Sequence, residues 1–499
     1  MPNRLDRLIT ASMPVVGIVL ASRLTLEIAA RPWNDWDPVR LAPVFALWHG
    51  HPLYPTPATG PPLSYCYGPV SALAYLPVVV ATTPTAALLV AATMSVLFML
   101  GPVLWLYLDR RILGPRRALD GVLAFMAVTA ILLGTPALTY SLFSPVHDAV
   151  ALGLGAIAAG VACRRRADDG PMSLAVSAVA AVLAVWAKQT MVPLLIALPI
   201  YVLVVEGRRS CVQYVTFVGA AGLAVSLLFF ATFDRSGLLL NMFEVPSRHP
   251  VDKSLHDVLG ALALQILYSG LAVALIGIAL LSVRGIRTGD RRERSSVGPW
   301  LAFVLIGVLQ TPLALLAFAK LGGDLNAFSS VLYHFAIGTG LLLLQLDVPR
   351  TATQTSGATF RIGKVWLLAL AVLALVAPRR VTPGLDTTRP NPSEAAFAFE
   401  RKHPGRAYFP WNTLSVVMAD GRAYAAEDGV LSHTRMAGLP VSAERLRAHL
   451  PPDAKLLAFP PNYPVRWTGD FMREQLPEFR RPVRVRELPG WRCLKRDRS

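Results

Sequence analysis

The chain has 499 residues, of which 54% are hydrophobic and 16% are charged, with a mean hydropathy of +0.48. This composition is too apolar for a soluble protein. Apolar runs recur at about the 20 residues that cross a bilayer as a helix. We therefore predict an all-α polytopic membrane protein, and the alternating pattern of an outer-membrane barrel is absent.

The formal net charge is +17. Most Lys and Arg clusters lie in short loops, as is typical of the cytoplasmic side of a membrane protein. Aromatic residues do not alternate with them, so the charge predicts topology and no nucleic-acid partner. The sequence has no Walker loop, dinucleotide-binding fingerprint or HExxH motif on a suitable element, which excludes ATP, dinucleotide and zinc-protease functions.

Counting Lys and Arg places the N-terminus in the cytoplasm, with the first helix running outward to about Ala30. An outer loop follows at 31–68, and the short run Pro69–Val80 is interpreted as a juxtamembrane or re-entrant helix. About eleven spans are predicted in total. The later ones are expected at Ala86–Leu108, Gly121–Tyr140, Ala149–Cys163, Met172–Trp186, Met191–Val205, Val212–Phe233, Leu259–Val283, Val297–Ala319, Val331–Leu346 and Lys364–Ala377.

The character of the sequence changes after the last span. We predict a membrane domain at 1–378, a proline-containing linker at 379–392 and a small α+β domain at 393–499. An odd number of spans places this last domain on the extracytoplasmic side. Cys66 and Cys493 would then share the outer side, where a disulfide is chemically permitted, although nothing in the sequence shows that they meet.

The first outer loop contains two carboxylates, Asp35 and Asp37, on either side of Trp36. Asp37 is suited to cap a short helix at Pro38–Leu47, and capping explains one aspartate but not two. A sugar-transfer site needs a carboxylate that takes a proton from the acceptor hydroxyl. We therefore predict that Asp35, Asp37 or both are catalytic.

Two further outer motifs contain groups that suit a phosphate site. His147 and Asp148 begin a helix at the outer mouth, where Asp148 is either a helix cap or a site residue. Lys188 and Gln189 form a polar break between two spans. An ammonium at such a break either extends to the interface or binds a lipid-linked phosphate.

The loop 234–257 is longer than a connection needs. It contains Arg235 and Arg248, which are candidates to contact an anionic headgroup. Solvated surface arginines are the alternative interpretation. The loop is therefore a weaker prediction than the acidic and lysine motifs.

The order of these motifs resembles the GT-C superfamily of integral-membrane glycosyltransferases, which includes protein O-mannosyltransferases and aminoarabinose transferases of lipid A. Such enzymes take a sugar from a polyprenyl-phosphate carrier on the non-cytoplasmic face. The resemblance covers most of the membrane part. It rests on the acidic loop Asn34–Arg40, on Gly50-His51-Pro52-Leu53-Tyr54, on Tyr67-Gly68-Pro69, on the Asp148 motif and on Ala187-Lys188-Gln189-Thr190.

The resemblance implies a role for each motif. Asp35 or Asp37 is expected to be the base, and the Asp-Trp-Asp spacing leaves open which one. The remaining expected roles are acceptor, phosphate or cation binding by His147 and Asp148, carrier-phosphate binding by Lys188, Gln189, Arg235 and Arg248, and loop shaping by Tyr54, Tyr67, Gly68 and Pro69. A divalent cation, Mg²⁺ or Mn²⁺, is a candidate cofactor with Asp148 as its ligand.

The implied function is an inverting transfer of a hexose or pentose to a lipid, glycan or protein acceptor at the plasma (inner) membrane. The partners are membrane lipids, the carrier-linked sugar and the acceptor. A polytopic transporter or a flippase of lipid-linked saccharides is the alternative. The sequence has no convincing internal repeat of the kind that transporters show, and the acidic loop is predicted outside the bilayer.

Overall fold

The computed structural model describes residues 4–30, 36–63, 65–113, 118–145, 148–165, 169–268, 298–345, 364, 367–372, 391–461 and 471–497. Asp35 and His147 therefore lie outside the described residues, as does the predicted linker up to residue 390. Over the described ranges the chain is mostly helical, and a small sheet lies near its C-terminal end.

The first two thirds of the chain form a bundle of apolar helices. Its core is one continuous cluster of buried side chains that extends from the first helix to the last ones described. The helices are α1 (Arg4–Ala30), α2 (Asp37–Trp48), α3 (Pro69–Ala74), α4 (Pro84–Leu108), α5 (Arg110–Leu113), α6 (Ala118–Gly134), α7 (Pro136–Phe143), α8 (Asp148–Arg164), α9 (Met172–Ala187), α10 (Leu194–Glu206), α11 (Arg208–Thr232), α12 (Arg235–Leu239), α13 (Val245–Arg248), α14 (Leu255–Tyr268), α15 (Gly298–Ala319) and α16 (Ser329–Gln345).

Six helical stretches among the described residues are long and apolar enough to cross a membrane, which confirms a multi-pass membrane protein. They are Arg7–Ala29, Pro84–Leu108, Gln189–Glu206, Arg208–Thr232, Pro299–Ala319 and Leu325–Leu344. The total of about eleven spans stays a prediction, because α9 is shorter than these and residues 269–297 and 373–390 lie outside the described part. The proline-bounded run after the outer loop forms α3 and a short 3₁₀ helix, Leu76–Val80, and its juxtamembrane or re-entrant position stays a prediction.

The predicted span Gly121–Tyr140 is wrong in its shape. The helix breaks after Gly134, and α6 and α7 differ in direction by 98°. Pro136 causes the break, because its ring disfavours the helical conformation at Thr135, which is extended with φ −99° and ψ 116°. The break turns α7 away from the axis of α6 and brings its side chains toward the outer loop.

Side chains satisfy the backbone groups at this break, as burial in an apolar bundle requires. The Thr139 hydroxyl donates to the carbonyl of Leu133 at 3.0 Å, and the Arg23 guanidinium donates to the same oxygen at 2.9 Å. Gln265 Oε1 accepts from the backbone N–H of Ala137 at 3.0 Å. The break is therefore built into the packing of α1, α7 and α14.

Residues 391–461 and 471–497, called the C-terminal part below, combine helices with a four-stranded sheet of order β1-β2-β4-β3. Strands β1 and β2 are parallel, and the other pairs are antiparallel. The predicted mixture of helices and strands is present, although a separate domain beyond a linker stays a prediction. The elements are α17 (Pro392–Lys402), β1 (Ala407–Tyr408), α18 (Thr413–Asp420), α19 (Glu427–Leu431), α20 (Ala443–Ala448), β2 (Leu456–Phe459), α21 (Phe471–Gln475), β3 (Phe479–Val483) and β4 (Arg492–Arg496).

The C-terminal part holds the first outer loop through its backbone. His449 Nε2 is 2.6 Å from the carbonyl oxygen of Thr59, and Arg445 Nε donates to the carbonyl of Gly60 at 2.9 Å. At the start of α2, the rings of Trp36 and Trp411 meet edge to face, with centroids 4.8 Å apart. These contacts fix the position of α2 relative to the sheet.

Glu400 gives the C-terminal part a measurable dependence on pH. Its side chain is buried, Oε1 accepts from Gly405 N at 2.6 Å, and burial raises its pKa from 4.5 to about 7. The contribution of the protonated Glu400 side chain to the free energy of unfolding is therefore fully present below pH 4.5, and it is lost as the pH rises through about 7. We expect Glu400→Gln to raise the free energy of unfolding relative to wild type by about 1–2 kcal/mol at high pH, since solvent screens part of the shift. Chemical unfolding in detergent at mildly acidic and mildly basic pH measures it, and a variant that differs from wild type equally at both pH values would contradict it.

Candidate active site

Asp37 is the first residue of α2, one residue before the predicted start at Pro38. The N-cap residue is Trp36, and it makes no side-chain capping bond. Asp37 is only 1% exposed, and its Oδ1 accepts a hydrogen bond of 2.6 Å from Ser144 Oγ. Capping of α2 therefore does not explain Asp37, which is bound instead to the segment between α7 and α8.

Arg40 lies one helical turn after Asp37 and shares its partner. It donates to the hydroxyl of Tyr140 and, at 3.0 Å, to Ser144 Oγ. The guanidinium also lies over the rings of Tyr140 and Trp36, 5.2 and 5.7 Å from their centroids. Burial lowers the pKa of Arg40, but the neighbouring oxygens of Tyr140 and Asp37 hold that pKa above its ordinary value, so the group stays charged.

Asp148 and Lys188 are brought together by the packing of α8 against α9. Asp148 is the first residue of α8, and Lys188 follows the last turn of α9. The Lys188 ammonium donates to Asp148 Oδ1 as a buried ion pair. Asp148 Oδ2 accepts from Ser141 Oγ and from Asn326 Nδ2, each at 2.9 Å.

Helix α7 connects the two carboxylates. Ser141 and Ser144 are three residues apart, and therefore lie on one face of the chain at the end of α7. Ser144 bonds Asp37, and Ser141 bonds Asp148 and also lies 2.7 Å from Ser329 Oγ. Asp37 and Asp148 thus belong to two hydrogen-bonded clusters that meet at the end of α7, and the two clusters together are called the carboxylate network below.

Gln189 lies beside this network, and its role in binding the carrier phosphate stays a prediction. Its amide Nε2 donates to the carbonyls of Cys66 and Met242, both at 2.8 Å. Both amide hydrogens are therefore used within the protein. Gln189 ties the outer loop to the segment after α12, and a bond to a carrier phosphate would have to replace one of these contacts.

Arg235 and Arg248 have partners outside the carboxylate network. The Arg235 guanidinium lies 5.9 Å from the ring centroid of Phe230, and Arg248 pairs with Glu244 at 2.9 Å on the same helical stretch. The Arg248 pair is about half exposed. Their predicted role in binding the carrier phosphate stays a prediction that the geometry around them does not favour.

The aromatic end of the outer loop packs directly on the end of α9. The buried Tyr54 hydroxyl donates to the carbonyl of Tyr67 at 2.5 Å, and Gly68 N donates to Ala187 O at 3.2 Å. A Cβ atom on Gly68 would lie 1.6 Å from the carbonyl oxygen of Trp186. Pro69 then begins α3. These residues fix the loop against the segment that carries Lys188.

Gly68→Ala is expected to disrupt the fold, because the added methyl overlaps backbone that cannot move without shifting α9. We expect a lower unfolding temperature and a poor yield of folded protein in detergent. Gly219→Ala, within α11, is the matched control. A Cβ there meets nothing within 4 Å, so the change should leave stability equal or raise it by up to about 1 kcal/mol. Equal unfolding temperatures for the two variants would contradict the prediction.

The groups around Asp148 do not suit a metal ion. Its oxygens face an ammonium, a hydroxyl donor and an amide donor, and a cation would have to displace them. No group of three His, Cys, Asp or Glu side chains that could hold a metal occurs within the described ranges. Cys66 and Cys493 are free thiols, and Cys493 is buried in the sheet.

Six contributors to this network were missed in the sequence. Arg40 has the clearest signal, since it lies one turn after Asp37 on the predicted helix. The others are common polar residues whose relevance depends on the tertiary fold, namely Tyr140, Ser141, Ser144, Asn326 and Ser329.

No protein-family model and no curated protein matches the sequence. Among solved structures, ArnT from Cupriavidus metallidurans bound to undecaprenyl phosphate matches 97% of this chain and 98% of that chain, with a TM-score of 0.56 and 12% identity. The apo state of the same protein matches with the same coverage and a TM-score of 0.53. AglB from Archaeoglobus fulgidus, an oligosaccharyltransferase in complex with an inhibitory peptide and a dolichol-phosphate, matches 90% of this chain and 69% of that chain, with a TM-score of 0.48 and 12% identity.

The match to ArnT extends over nearly the whole of both chains. At this level of identity it shows that the chain shares the fold of the ArnT structures. The chain is therefore a multi-pass membrane protein that shares its fold with ArnT and contains a network of two carboxylates and two cations.

Proposed function

We propose that this protein is an integral-membrane glycosyltransferase that uses a polyprenyl-phosphate-linked sugar. The observation that carries the proposal is the carboxylate network, in which Asp37 and Arg40 are joined through α7 to Asp148 and Lys188. The shared fold supports it, since the similar ArnT structure is of a protein bound to undecaprenyl phosphate. The acceptor is a lipid, a glycan or a protein on the extracytoplasmic face.

In this proposal the chemistry is a single displacement at the anomeric carbon. The Asp37 carboxylate takes the proton of the acceptor hydroxyl as the new glycosidic bond forms. The bond from the anomeric carbon to the carrier phosphate breaks, and the phosphate leaves with the electron pair. Inversion at that carbon follows from one such displacement. Ser144 holds the carboxylate through a bond of 2.6 Å, so the base is oriented before the acceptor arrives.

The cations of the network suit the leaving phosphate. Lys188 has three N–H donors, of which Asp148 takes one, and its side chain is 14% exposed. It can therefore donate to a phosphate without leaving Asp148. The charged Arg40 guanidinium lies beside the same network and adds positive charge where the phosphate develops its negative charge.

Reconstitution with defined donors tests the proposal. The purified protein is placed in vesicles with radiolabelled polyprenyl-phosphate sugars, and transfer to lipid, glycan and peptide acceptors is measured. Glycosylated acceptor is the expected product. Movement of the labelled carrier across the vesicle membrane without any transfer would instead identify a flippase and end the proposal.

The orientation is tested separately by cysteine labelling. A single cysteine introduced at Asn34 should react with an impermeant maleimide added from the non-cytoplasmic side. Labelling only from the cytoplasmic side would contradict an outward-facing site. A cysteine in place of Arg209, at the start of α11, is the control and should react from the opposite side.

A further inference from the structure

A recess lies at the loop that joins β3 to β4 in the C-terminal part. The recess is open to solvent and has a volume of about 620 Å³. It is called the basic recess below, and its lining is Arg484, Val485, Arg486, Leu488, Pro489, Gly490 and Trp491.

The charge of the basic recess is positive and uncompensated. Arg484 and Arg486 are exposed and have no ion pair with any described residue. The acid of the same loop, Glu487, is engaged elsewhere. Its Oε1 accepts from Lys402 Nζ at 2.7 Å and lies 3.2 Å from His403 Nε2. The loop therefore presents its arginines and not its carboxylate.

The positive surface continues along the hairpin of β3 and β4. Arg481 and Lys495 are opposite each other in register, both are exposed, and neither has an ion pair within the described ranges. Arg481 is three residues before Arg484, about 10 Å along an extended chain. Two other acids of this region are also paired, Glu478 with Arg447 and Asp497 with Arg480.

We propose that the basic recess and this adjoining row bind a single chain of an acidic polysaccharide. Guanidinium groups bind carboxylates and phosphates through paired hydrogen bonds, and a row of them matches a polymer that carries repeated negative charges. A concave recess admits one chain, whereas a bilayer surface is flat. Trp491 packs edge to face on Phe409, with centroids 5.4 Å apart, which gives the recess a fixed wall.

Binding of a defined polyanion tests this inference without any sugar transfer, so its outcome is separate from that of the proposed function. The full chain in neutral detergent is titrated with polygalacturonate and, for comparison, with uncharged dextran. We expect binding of polygalacturonate only, weakening as salt is raised. Arg484→Ala combined with Arg486→Ala should raise the half-saturating concentration by about tenfold or more.

Arg208→Ala combined with Arg209→Ala is the matched control, because it removes the same charge at the distant, exposed start of α11. It should bind polygalacturonate as wild type does. An equal loss in both double variants would show binding by net charge alone and overturn the inference. Vesicles of phosphatidylglycerol are added as a competitor, and displacement as effective as that by free polygalacturonate, charge for charge, would assign the surface to lipid and overturn it as well.

Discussion

Replacing Asp37 by asparagine is expected to lower the turnover number of sugar transfer by about 10²- to 10⁴-fold, the usual contribution of a general base. Asparagine keeps the shape of the side chain and can still accept the bond from Ser144, but it cannot take a proton. The Michaelis constant for the carrier-linked sugar should change little, since the loss falls on the transition state. Steady-state transfer in vesicles measures both constants.

Two comparisons make the Asp37 result specific. Ser144→Ala removes one hydrogen bond and leaves the carboxylate, so it should reduce turnover far less than Asp37→Asn. Asp35→Asn is the matched carboxylate change in the same loop. If turnover falls with Asp35→Asn and is retained with Asp37→Asn, then Asp35 is the base and the assignment made here is wrong.

Lys188→Met is expected to be the most destabilising change in the carboxylate network. It leaves the buried Asp148 charge without its ammonium, and the loss of one partner of a buried pair typically costs about 3–5 kcal/mol. Lys188→Met should therefore unfold at a distinctly lower temperature than wild type in the same detergent. Unfolding followed by tryptophan fluorescence measures the shift.

The double variant separates loss of charge balance from loss of packing. Asp148→Asn combined with Lys188→Met removes both charges, so it should recover part of the stability that Lys188→Met alone loses. Ser141 and Asn326 can still bond the asparagine carbonyl oxygen. Additive losses of stability in the double variant would mean that the two charges do not compensate each other. That result would contradict the prediction drawn from the ion pair.

The hydrophobic pattern predicted the membrane class and most helix positions, because burial in a bilayer imposes long apolar runs. Its failure at Gly121–Tyr140 has a local cause. Gly134, Thr135 and Pro136 form a signal for a break, but hydropathy averaged over the run does not register it. The predicted span Leu259–Val283 is described only as far as Tyr268, so its full length stays a prediction.

The site could be predicted only in part. Asp37, Asp148 and Lys188 stand out in the sequence because a charged side chain near an apolar span costs free energy unless it is paired or has a function. Their connection could not be predicted, because Asn326 is 178 residues from Asp148 in sequence and meets it only after α16 packs on α7 and α8. Helix capping was the obvious explanation for Asp37, and only the fold shows that its oxygen bonds Ser144 instead.

The contact of Arg23 with Leu133 has a consequence for how the chain assembles in its membrane. Inserting the Arg23 guanidinium into a bilayer on an isolated helix costs about 2.5–3.5 kcal/mol on insertion scales. This cost is offset only when the break between α6 and α7 provides the carbonyl oxygen of Leu133 as an acceptor. The first segment is thus more than an anchor. Replacing α1 with a polyleucine segment would preserve insertion into the membrane. It would remove the hydrogen-bond donor to Leu133 at the break between α6 and α7, and we expect quality-control proteases to degrade the misassembled product.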